Sequence, residues 1–359
     1  MMITILYIYK NKDAFRVKRS LESLRQQTDQ RFQVLFVDYG STSSFKDEII
    51  PVINTFDFVK YHYSYHCAQA WSRAKAINIG LRLIETPFVF VADIDMIFRN
   101  DFVAKLHQLK DHNKSIYFKV GFLNQKESTE IKDFDQYTIQ HVSSEGAKGL
   151  SLFPLKALNE IQGFDEFLHF WGAEDEDIHQ RLQNHGLSEV FYNDEILMLH
   201  QWHLTYRNAE NNQLTQELRV LNITRINSNH LKYNSQQHKT VVNTTTWGTS
   251  ITKEEYVELH QAPITITLTN KKEVIDHFIF HQLNEFHNGI LAVTIVEDAQ
   301  NGSLKSLLKR SLNKTVPQFY SLKEVNDTLL LHIVSFYRNN NYIYNVSKDL
   351  KSIEFKIKK

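Results

Sequence analysis

The first half of the chain alternates between two hydrophobic periods. Continuous apolar runs predict buried strands at residues 3–9, 33–37, 58–63, 88–92 and 189–192. Apolar residues spaced three or four apart predict helices at 13–27, 70–84, 101–109, 154–161 and 174–185. Mixed periods over 115–153 predict short strands. Strands that alternate with helices are typical of a mostly parallel, Rossmann-like sheet covered by helices, so we expect an α/β fold.

The pattern changes after about residue 205. Residues 206–239 are polar, Asn-rich and helical in part, which indicates a connecting segment. The remainder contains β-branched runs, at 264–268, 290–296 and 329–336. We therefore expect a main domain over 1–205, a connection over 206–239 and a smaller α/β module over 240–359 that closes on the main domain or contacts a partner.

Composition narrows the class of protein. The 41 basic and 41 acidic residues give a formal net charge of zero, which argues against the basic surface of a nucleic-acid-binding protein. One cysteine, Cys67, excludes an internal disulfide framework and favours a reducing compartment. The chain has no uninterrupted apolar run of about 18 residues and starts without a charged, cleavable leader. We therefore expect a cytoplasmic protein without a transmembrane helix.

Two aspartates follow the apolar run at 88–92. Alternation along a strand puts Asp93 and Asp95 on the same side, at the carboxyl end where open α/β sheets bind ligands. Two carboxylates there can hold a hard divalent ion, and the ion can hold a diphosphate. The alternative is a turn whose aspartates accept hydrogen bonds from nearby backbone N–H groups.

The segment 171–177, Trp-Gly-Ala-Glu-Asp-Glu-Asp, places four successive acids beside an aromatic ring. A helix N-terminus explains one or two of the acids, because its dipole favours negative charge. It does not explain Trp171. An aromatic ring packs against the apolar face of a sugar, and neighbouring carboxylates bond to the sugar hydroxyls. One of these carboxylates could also take the proton of an attacking hydroxyl.

Further positions add candidate chemistry. His200 and His203, three residues apart after an apolar piece, can complete a mixed oxygen and nitrogen site for Mn²⁺, with His200 as the first choice. Arg73, early in the helix predicted at 70–84, can reach a diphosphate or a base. Asp38, at the end of the second strand, can bond to ribose or uracil, or it can form a turn before Gly40.

In order and spacing, these segments resemble a nucleotide-sugar glycosyltransferase of the GT-A fold. Residues 3–41 resemble the opening of the inverting family-two enzymes, and Asp93-Ile-Asp95 resembles their Asp-x-Asp metal motif. Gly163-Phe-Asp followed by Trp171-Gly-Ala-Glu-Asp resembles segments of β-galactosyltransferases of the lactose-synthase type. Bacterial chondroitin polymerases and polypeptide N-acetylgalactosaminyltransferases carry related segments.

A fourth segment extends the resemblance. Ser72-Arg-Ala-Lys75, with Asn78-Ile-Gly80 behind it, is similar to the Asn-Arg-Ala-Lys helix of the galactosyltransferases. The resemblance covers roughly residues 1–205, and the rest of the chain matches no family that we recognise. Ala173 departs from the family pattern because it replaces a second glycine, which makes the loop less free to adopt positive φ.

The resemblance implies a role for each matching residue. The metal positions are Asp95, Asp93 and His200, and the catalytic positions are Asp175 and Glu174. The substrate-binding positions are Asp38, Tyr9, Arg73, Asp93 and Trp171. Asp175 would be the catalytic base, and Glu174 would bind a sugar hydroxyl. Asp93 would contact ribose, donor sugar or metal. Asp38, Arg73 and the backbone at Tyr9 would hold the nucleotide.

Such an enzyme would use Mn²⁺ or Mg²⁺ and a UDP-sugar donor, and would move a hexose or N-acetylhexosamine to a glycan or lipid-linked glycan with inversion. We expect a bacterial enzyme of surface polysaccharide synthesis, at the inner face of the cell membrane, with the C-terminal module available for oligomer formation. One alternative is a non-catalytic sugar- or nucleotide-binding scaffold on this fold. Another is a nucleotidyltransferase, against which the absence of glycine from residues 9–13 argues.

Overall fold

The computed structural model describes residues 2–204, 212–301 and 316–359, and by packing these residues form two units. The first unit comprises the described residues within Met1–Cys67, Ser72–Asn208 and Thr224–Ser250. The second unit comprises those within Ala68–Trp71, Ala209–Ile223 and Ile251–Lys359. The predicted boundary at residue 205 lies outside the described residues. Part of the predicted connection, from Thr224 onward, packs within the first unit, and the predicted domain limits remain predictions.

The main sheet of the first unit follows the apolar runs of the sequence. Within the described residues it has seven strands in the order β10-β6-β9-β4-β1-β2-β3. The strands are β1 (Ile3–Tyr9), β2 (Phe32–Asp38), β3 (Val59–Tyr63), β4 (Phe88–Ala92), β6 (Lys114–Phe118), β9 (Ser151–Pro154) and β10 (Ser188–Tyr192). β1 to β4 are parallel to one another, whereas β9 runs antiparallel between β4 and β6. The predicted α/β fold is confirmed.

Polar side chains cap the start of two helices of the first unit, at Asp13 and Ser72. The described helices are α1 (Ala14–Arg25), α2 (Ser43–Ile53), α3 (Arg73–Leu81), α4 (Phe102–Leu109), α5 (Leu155–Glu160), α6 (Glu174–Asn184) and α7 (Ile223–Gln236). The helix predicted at 70–84 starts only at Arg73, because extended Ser72 accepts the Lys75 N–H as an N-cap. α3 packs so closely on β1 that a Cβ on Gly80 would collide with Leu6.

A second, smaller sheet of the first unit has the strand order β5-β11-β7-β8. Its strands are β5 (Met96–Phe98), β7 (Gly121–Leu123), β8 (Ile139–Val142) and β11 (Met198–His200). β11 runs antiparallel to β5, and His200 lies opposite Met96. This pairing joins the segment after the two aspartates to the segment that carries the two histidines.

The second unit has its own sheet, in the order β12-β13-β15-β14. The strands are β12 (Ile266–Thr269), β13 (Ile290–Val296), β14 (Tyr342–Val346) and β15 (Ser352–Lys358). The helices are α8 (Lys253–Gln261), α9 (Lys272–His277), α10 (Leu283–Glu285) and α11 (Leu322–His332). The run 329–336 is helical, because Ser321 and Glu324 form a capping box and leucines favour helix. The described residues include no helix of the length and apolarity needed to cross a bilayer.

Candidate active site

The carboxyl ends of three neighbouring strands bring several predicted residues to one edge of the main sheet. β1 lies between β2 and β4, and all three are parallel. Tyr9 is opposite Asp38 in the β1–β2 register, and Asp93 directly follows β4. In open α/β sheets this edge binds ligands. The structure therefore places these residues where the sequence predicted a ligand site.

Asp95, His200 and His203 form a cluster that could hold a metal ion. One ligand atom from each residue lies within 4.8 Å of the others. The Nε2 atoms of His200 and His203 lie 3.6 and 3.3 Å from the two carboxylate oxygens of Asp95. Both predicted histidine candidates therefore belong to the cluster. Asp93, for which a contact to ribose, donor sugar or metal was predicted, lies 3.2 Å from Arg73, and its role stays a prediction.

The chemistry of this cluster fits a divalent ion. Asp95 is buried, and its Oδ1 has no hydrogen-bond partner among the described residues. Nδ1 of His203 lies 2.8 Å from the carbonyl oxygen of Leu204, so this nitrogen donates and Nε2, on the Asp95 side of the ring, is the one that could bind an ion. A carboxylate with two imidazoles is a donor set that suits Mn²⁺. An ion would satisfy the unpaired oxygen.

Gln201 was not among the predicted residues, but it supports the cluster. Its side chain is fully buried and donates to the carbonyl oxygens of Asp95 and Arg16, at 3.1 and 3.0 Å. Its backbone N–H also donates to the Asp95 carbonyl. The residue between the two histidines therefore fixes the backbone of the third cluster member.

Arg73 links the two acidic segments that the sequence singled out. Its Nη2 lies 3.2 Å from Asp93 Oδ1, and its Nη1 lies 2.7 Å from Asp175 Oδ1. Nη2 also donates to the Gly149 carbonyl, at 3.0 Å. Burial alone would lower the pKa of Arg73, but Asp175 and Asp93 outweigh burial and raise it. The guanidinium therefore stays charged and holds both carboxylates in one site.

The four successive acids at the start of α6 have four different environments. Asp177 is buried against Arg181, with 2.7 Å between Oδ2 and Nε. Glu176 is exposed and pairs with Lys148 at 3.0 Å. Asp175 bonds to Arg73, and Glu174 is buried. The first two acids of the run are thus available for chemistry, whereas the fourth is part of the core.

Burial raises the pKa of the first two acids of α6, and the charge of Asp175 adds to the rise at Glu174. Burial, followed by the charge of Asp175, raises the pKa of Glu174 to about 7. Burial also raises the pKa of Asp175, and Arg73 opposes that rise. A carboxylate whose pKa is raised toward neutrality is a better proton acceptor than an ordinary aspartate. Carboxyl groups with these properties cluster at catalytic sites.

The turn before α6 has an unusual backbone. Phe170, Gly172 and Ala173 have φ angles of +65°, +93° and +77°. Ala173 is the N-cap residue of α6, and its side chain makes no capping bond. The family glycine that Ala173 replaces would adopt this conformation freely, whereas alanine is strained in it. Trp171 lies in this turn, with 37% of its surface exposed.

Asp38 and Tyr9 are more deeply buried than the sequence suggested. Asp38 is fully buried, accepting from the Ser41 backbone at 2.8 Å and from the Tyr61 hydroxyl at 3.0 Å. Burial raises the pKa of Asp38, and these two bonds oppose the rise. The bond from the Ser41 N–H to Asp38 is that of a turn at Gly40, which was the alternative considered for Asp38 in the sequence. The Tyr9 carbonyl accepts from the backbone of Tyr39.

A cation at the end of β1 was missed by sequence reasoning. Lys10 Nζ donates to the His66 carbonyl at 3.0 Å and lies 5.2 Å from the centre of the Tyr39 ring. Burial lowers the pKa of Lys10 to about 8. The Tyr39 and His66 rings stack at 4.2 Å. Both rings are buried, so the cation is the part of this group that a phosphate could meet, and the signal in the sequence was the position of Lys10 directly after β1.

Buried amides hold the loop between α5 and α6. Asn78 donates to the Phe164 carbonyl and to Glu166, at 2.8 and 3.0 Å, and Asn243 also donates to the Phe164 carbonyl. Asn234 donates to Asp165 at 2.9 Å. Much of this bonding comes from residues 224–250, a stretch in which the sequence showed only a high content of asparagine.

Comparisons with known proteins agree with the site. A model of glycosyl transferase family 2 matches residues 4–158. A model of the N-terminal domain of galactosyltransferase matches residues 131–203. The two matches together contain the metal cluster, Arg73 and the acids of α6. No curated protein matches the chain by sequence.

Several solved glycosyltransferase structures are similar at low identity. S. aureus TarS is 16% identical, with 56% of this chain and 37% of that chain covered and a TM-score of 0.44. A shorter TarS in complex with UDP-GlcNAc is 16% identical, with 57% and 60% covered and a TM-score of 0.43. GalNAc-T7 with UDP, GalNAc and Mn²⁺ is 14% identical, with 65% and 47% covered and a TM-score of 0.45. The chain thus spans between 37% and 60% of the length of these structures.

The family matches confirm the resemblance seen in the sequence: residues 4–203 of this chain are a glycosyltransferase domain, with a family 2 first part and a galactosyltransferase-type last part.

Proposed function

We propose that this protein is a metal-dependent, inverting glycosyltransferase that moves a hexose or N-acetylhexosamine from a UDP-sugar to a glycan acceptor. One observation carries the proposal. Arg73 bonds at once to Asp93, at the end of a sheet strand, and to Asp175, at the start of α6. A donor site and a proton acceptor are thereby held in one place.

The donor end of the site would be built on the metal cluster. Asp95, His200 and His203 would hold Mn²⁺ or Mg²⁺, because they offer one carboxylate and two imidazoles around an unpaired buried oxygen. When bound, the ion would act as a Lewis acid that neutralises the leaving diphosphate. Asp93, with 42% of its side chain exposed, would contact the ribose or the donor sugar.

The nucleotide would lie along the ends of β1 and β2. Lys10 would contact the diphosphate, and the buried Tyr39 ring and His66 carbonyl would hold its side chain in place. Asp38 would act mainly by shaping this edge, because protein donors already occupy both of its oxygens. The backbone at Tyr9 would form the floor of the same site.

The acceptor end would be built on the first turn of α6. Asp175 Oδ1 is engaged by Arg73, so Oδ2 would accept the proton of the attacking hydroxyl. The acceptor oxygen would attack the anomeric carbon as the bond to the diphosphate breaks, and UDP would leave with the bonding electron pair. Attack from the opposite face converts an α-linked donor into a β-linked product. Glu174 would bond to a sugar hydroxyl, and the Trp171 ring would pack on the sugar face.

The wider setting is part of the same proposal. We infer a bacterial, cytoplasmic enzyme that works at the inner face of the cell membrane on a surface polysaccharide or lipid-linked glycan. The single cysteine, Cys67, supports a reducing compartment. UDP-galactose, UDP-N-acetylgalactosamine and UDP-glucose all remain candidate donors. The second unit would serve oligomer formation or acceptor contact.

Thermal unfolding with nucleotides tests the donor end. UDP with Mn²⁺ at about 100 times its dissociation constant should raise the midpoint by about 5 to 10 °C. The rise should vanish in EDTA and in Asp95→Ala. It should persist in the control Asp101→Ala, which removes an acid paired with Arg99 at the partly exposed start of α4. A shift equal in wild type and Asp95→Ala, or no shift with UDP, would contradict the proposal.

Turnover tests the acceptor end. With a UDP-sugar and acceptor, Asp175→Asn should lower turnover by about 10² to 10⁴-fold, because it removes the general base. The UDP shift should be kept, since asparagine retains an oxygen that can accept from Arg73. Loss of the UDP shift together with turnover would assign Asp175 to the fold or to metal binding.

A further inference from the structure

We propose that Asn227 is a positioning residue of the transfer reaction, and that α7, which lies outside both family matches, completes the active site. The inference rests on the proposed function above. Asn227 would fix the geometry of Trp171 and Asp175. It would not itself bind the sugar or accept the proton.

Asn227 occupies the centre of the turn that carries Trp171. The side chain is 1% exposed, and its Nδ2 donates to the carbonyl oxygens of His169, Trp171 and Gly172, at 2.9, 3.1 and 3.3 Å. One NH2 group therefore lies within hydrogen-bond distance of three carbonyls of a four-residue stretch, and the His169 carbonyl also accepts from the Trp171 N–H. Asn227 Oδ1 is buried and has no partner among the described residues. The contribution of the side chain to this turn thus comes from the donor alone.

The turn needs such an external constraint. Phe170, Gly172 and Ala173 all have positive φ, and Ala173 caps α6 without a side-chain bond. Non-glycine residues persist in this region only where the surroundings hold them. Among the contacts of the described residues, Asn227 provides the donor shared by the carbonyls on both sides of Trp171. Without that donor, the turn would relax toward ordinary φ values.

Relaxation of the turn would displace the catalytic acids. Glu174 and Asp175 are the first two residues of α6, directly after Ala173. The 2.7 Å bond between Asp175 and Arg73 depends on where α6 begins. A misplacement of about 1 Å can cost about 100-fold in rate, because the reacting atoms leave their attack geometry. Asn227 would therefore act on the reaction through Asp175 and not by touching substrate.

A polar stripe on α7 supports this role. Asn227, His230 and Asn234 are spaced three and four residues apart, so they lie on one face of the helix. His230 and Asn234 both contact Asp165 Oδ2, at 2.8 and 2.9 Å. The stripe thus faces the loop between α5 and α6 along its length. Its Asn227 end meets the part of the loop nearest the catalytic acids.

The experiment compares Asn227→Asp and Asn227→Ala with a matched control, Asn243→Ala. Asn243 also donates to two loop carbonyls, those of Gln162 and Phe164, but at the far end of the loop from Trp171. For each variant we would measure kcat with UDP-sugar and acceptor, the UDP dissociation constant with Mn²⁺, and amide hydrogen exchange, below the unfolding midpoint of all variants.

Both Asn227 variants should lose about 10- to 100-fold in kcat while UDP affinity changes by less than about threefold. Their amide exchange should accelerate over residues 171–177. Asn243→Ala should accelerate exchange over 162–166 and keep kcat within about threefold of wild type. Equal kcat losses in Asn227→Ala and Asn243→Ala, or wild-type kcat in Asn227→Asp, would overturn the proposal.

The exchange measurement separates this inference from the proposed function. If the wild-type protein turned over no UDP-sugar, the proposed function would fail, yet faster exchange over 171–177 in the Asn227 variants would still show that Asn227 holds the turn. If exchange over 171–177 stayed at the wild-type rate in Asn227→Asp and Asn227→Ala, the positioning role would be wrong whatever the activity.

Discussion

Two arginines of the first unit differ in burial but have similar partners, and this difference predicts their effects on stability. Arg181 and Asp177 form an ion pair in which both side chains are 1% exposed. Arg181 also donates to the carbonyls of Gly163 and Thr240, at 2.8 and 3.1 Å. Arg99 bonds to Asp101 and Glu195, but its side chain is 20% exposed and those of the acids are 35% and 31% exposed. The perturbation is replacement of each arginine by methionine.

The magnitude follows from what each replacement leaves behind. Arg181→Met leaves Asp177 as an unpaired acid in the core, and breaking a buried pair in this way costs about 3 to 5 kcal/mol of unfolding free energy. At about 2 to 4 °C per kcal/mol, the unfolding midpoint should fall by about 6 to 20 °C. Arg99→Met leaves two acids that water can reach, so each lost pair should cost less than about 1 kcal/mol.

Thermal or urea unfolding of the first unit measures both variants. The double variant Arg181→Met/Asp177→Leu should recover part of the stability lost in Arg181→Met, because it removes the stranded charge. If Arg181→Met and Arg99→Met cost the same, or if the double variant were less stable than the sum of its single variants, burial would not be the property that decides these energies.

Two further predictions concern the turn and the first acid of α6. Ala173→Gly should raise the unfolding free energy by about 0.5 to 1 kcal/mol, because glycine adopts φ near +77° without strain, and thermal unfolding would detect it. Gly172→Ala is the matched control and should be destabilising; a destabilising Ala173→Gly would show that the turn is unstrained. The folded-state pKa of Glu174, about 7, lies above the ordinary glutamate value of 4.5, so the folded state binds this proton more tightly than the unfolded chain. The contribution of Glu174 to stability is therefore complete below pH 4.5 and is lost as pH rises to about 7. The free energy of unfolding of Glu174→Gln, measured in EDTA across that range, should increase relative to that of wild type as pH rises. Parallel curves of unfolding free energy against pH would contradict the assignment.

The sheet and its ligand edge could be predicted from the sequence because hydrophobic runs report burial directly. The run at 88–92 became β4 with the same limits, and it placed Asp93 at the sheet edge. The sequence predicts His200 and His203 as candidate metal ligands from their residue type and spacing, but it does not indicate their contact with Asp95. That contact depends on β5 and β11, which have three residues each and carry no period of their own.

The positions that sequence reasoning missed are buried but polar. Asn227 and Asn234 lie in a segment whose composition suggested a solvated connection, yet they are 1% and 2% exposed. Hydrophobic periodicity detects burial only where the buried side chains are apolar. A buried amide that bonds to loop carbonyls is therefore assigned to the solvent-exposed surface. The ion pair between Arg73 and Asp175 escaped for a related reason: it joins residues about one hundred positions apart, and neither sequence segment indicates the other.

The return of residues 224–250 to the first unit has a consequence for the order of events during synthesis. The sequence matched by the glycosyltransferase models ends at residue 203. At a translation rate of about 5 to 20 residues per second, the ribosome reaches residue 236, the end of α7, about 2 to 7 s later. Until then, the carbonyls around Trp171 lack the donor of Asn227. A nascent chain thus contains every proposed catalytic residue before it contains the helix that orders them, and activity would begin only after that helix has emerged.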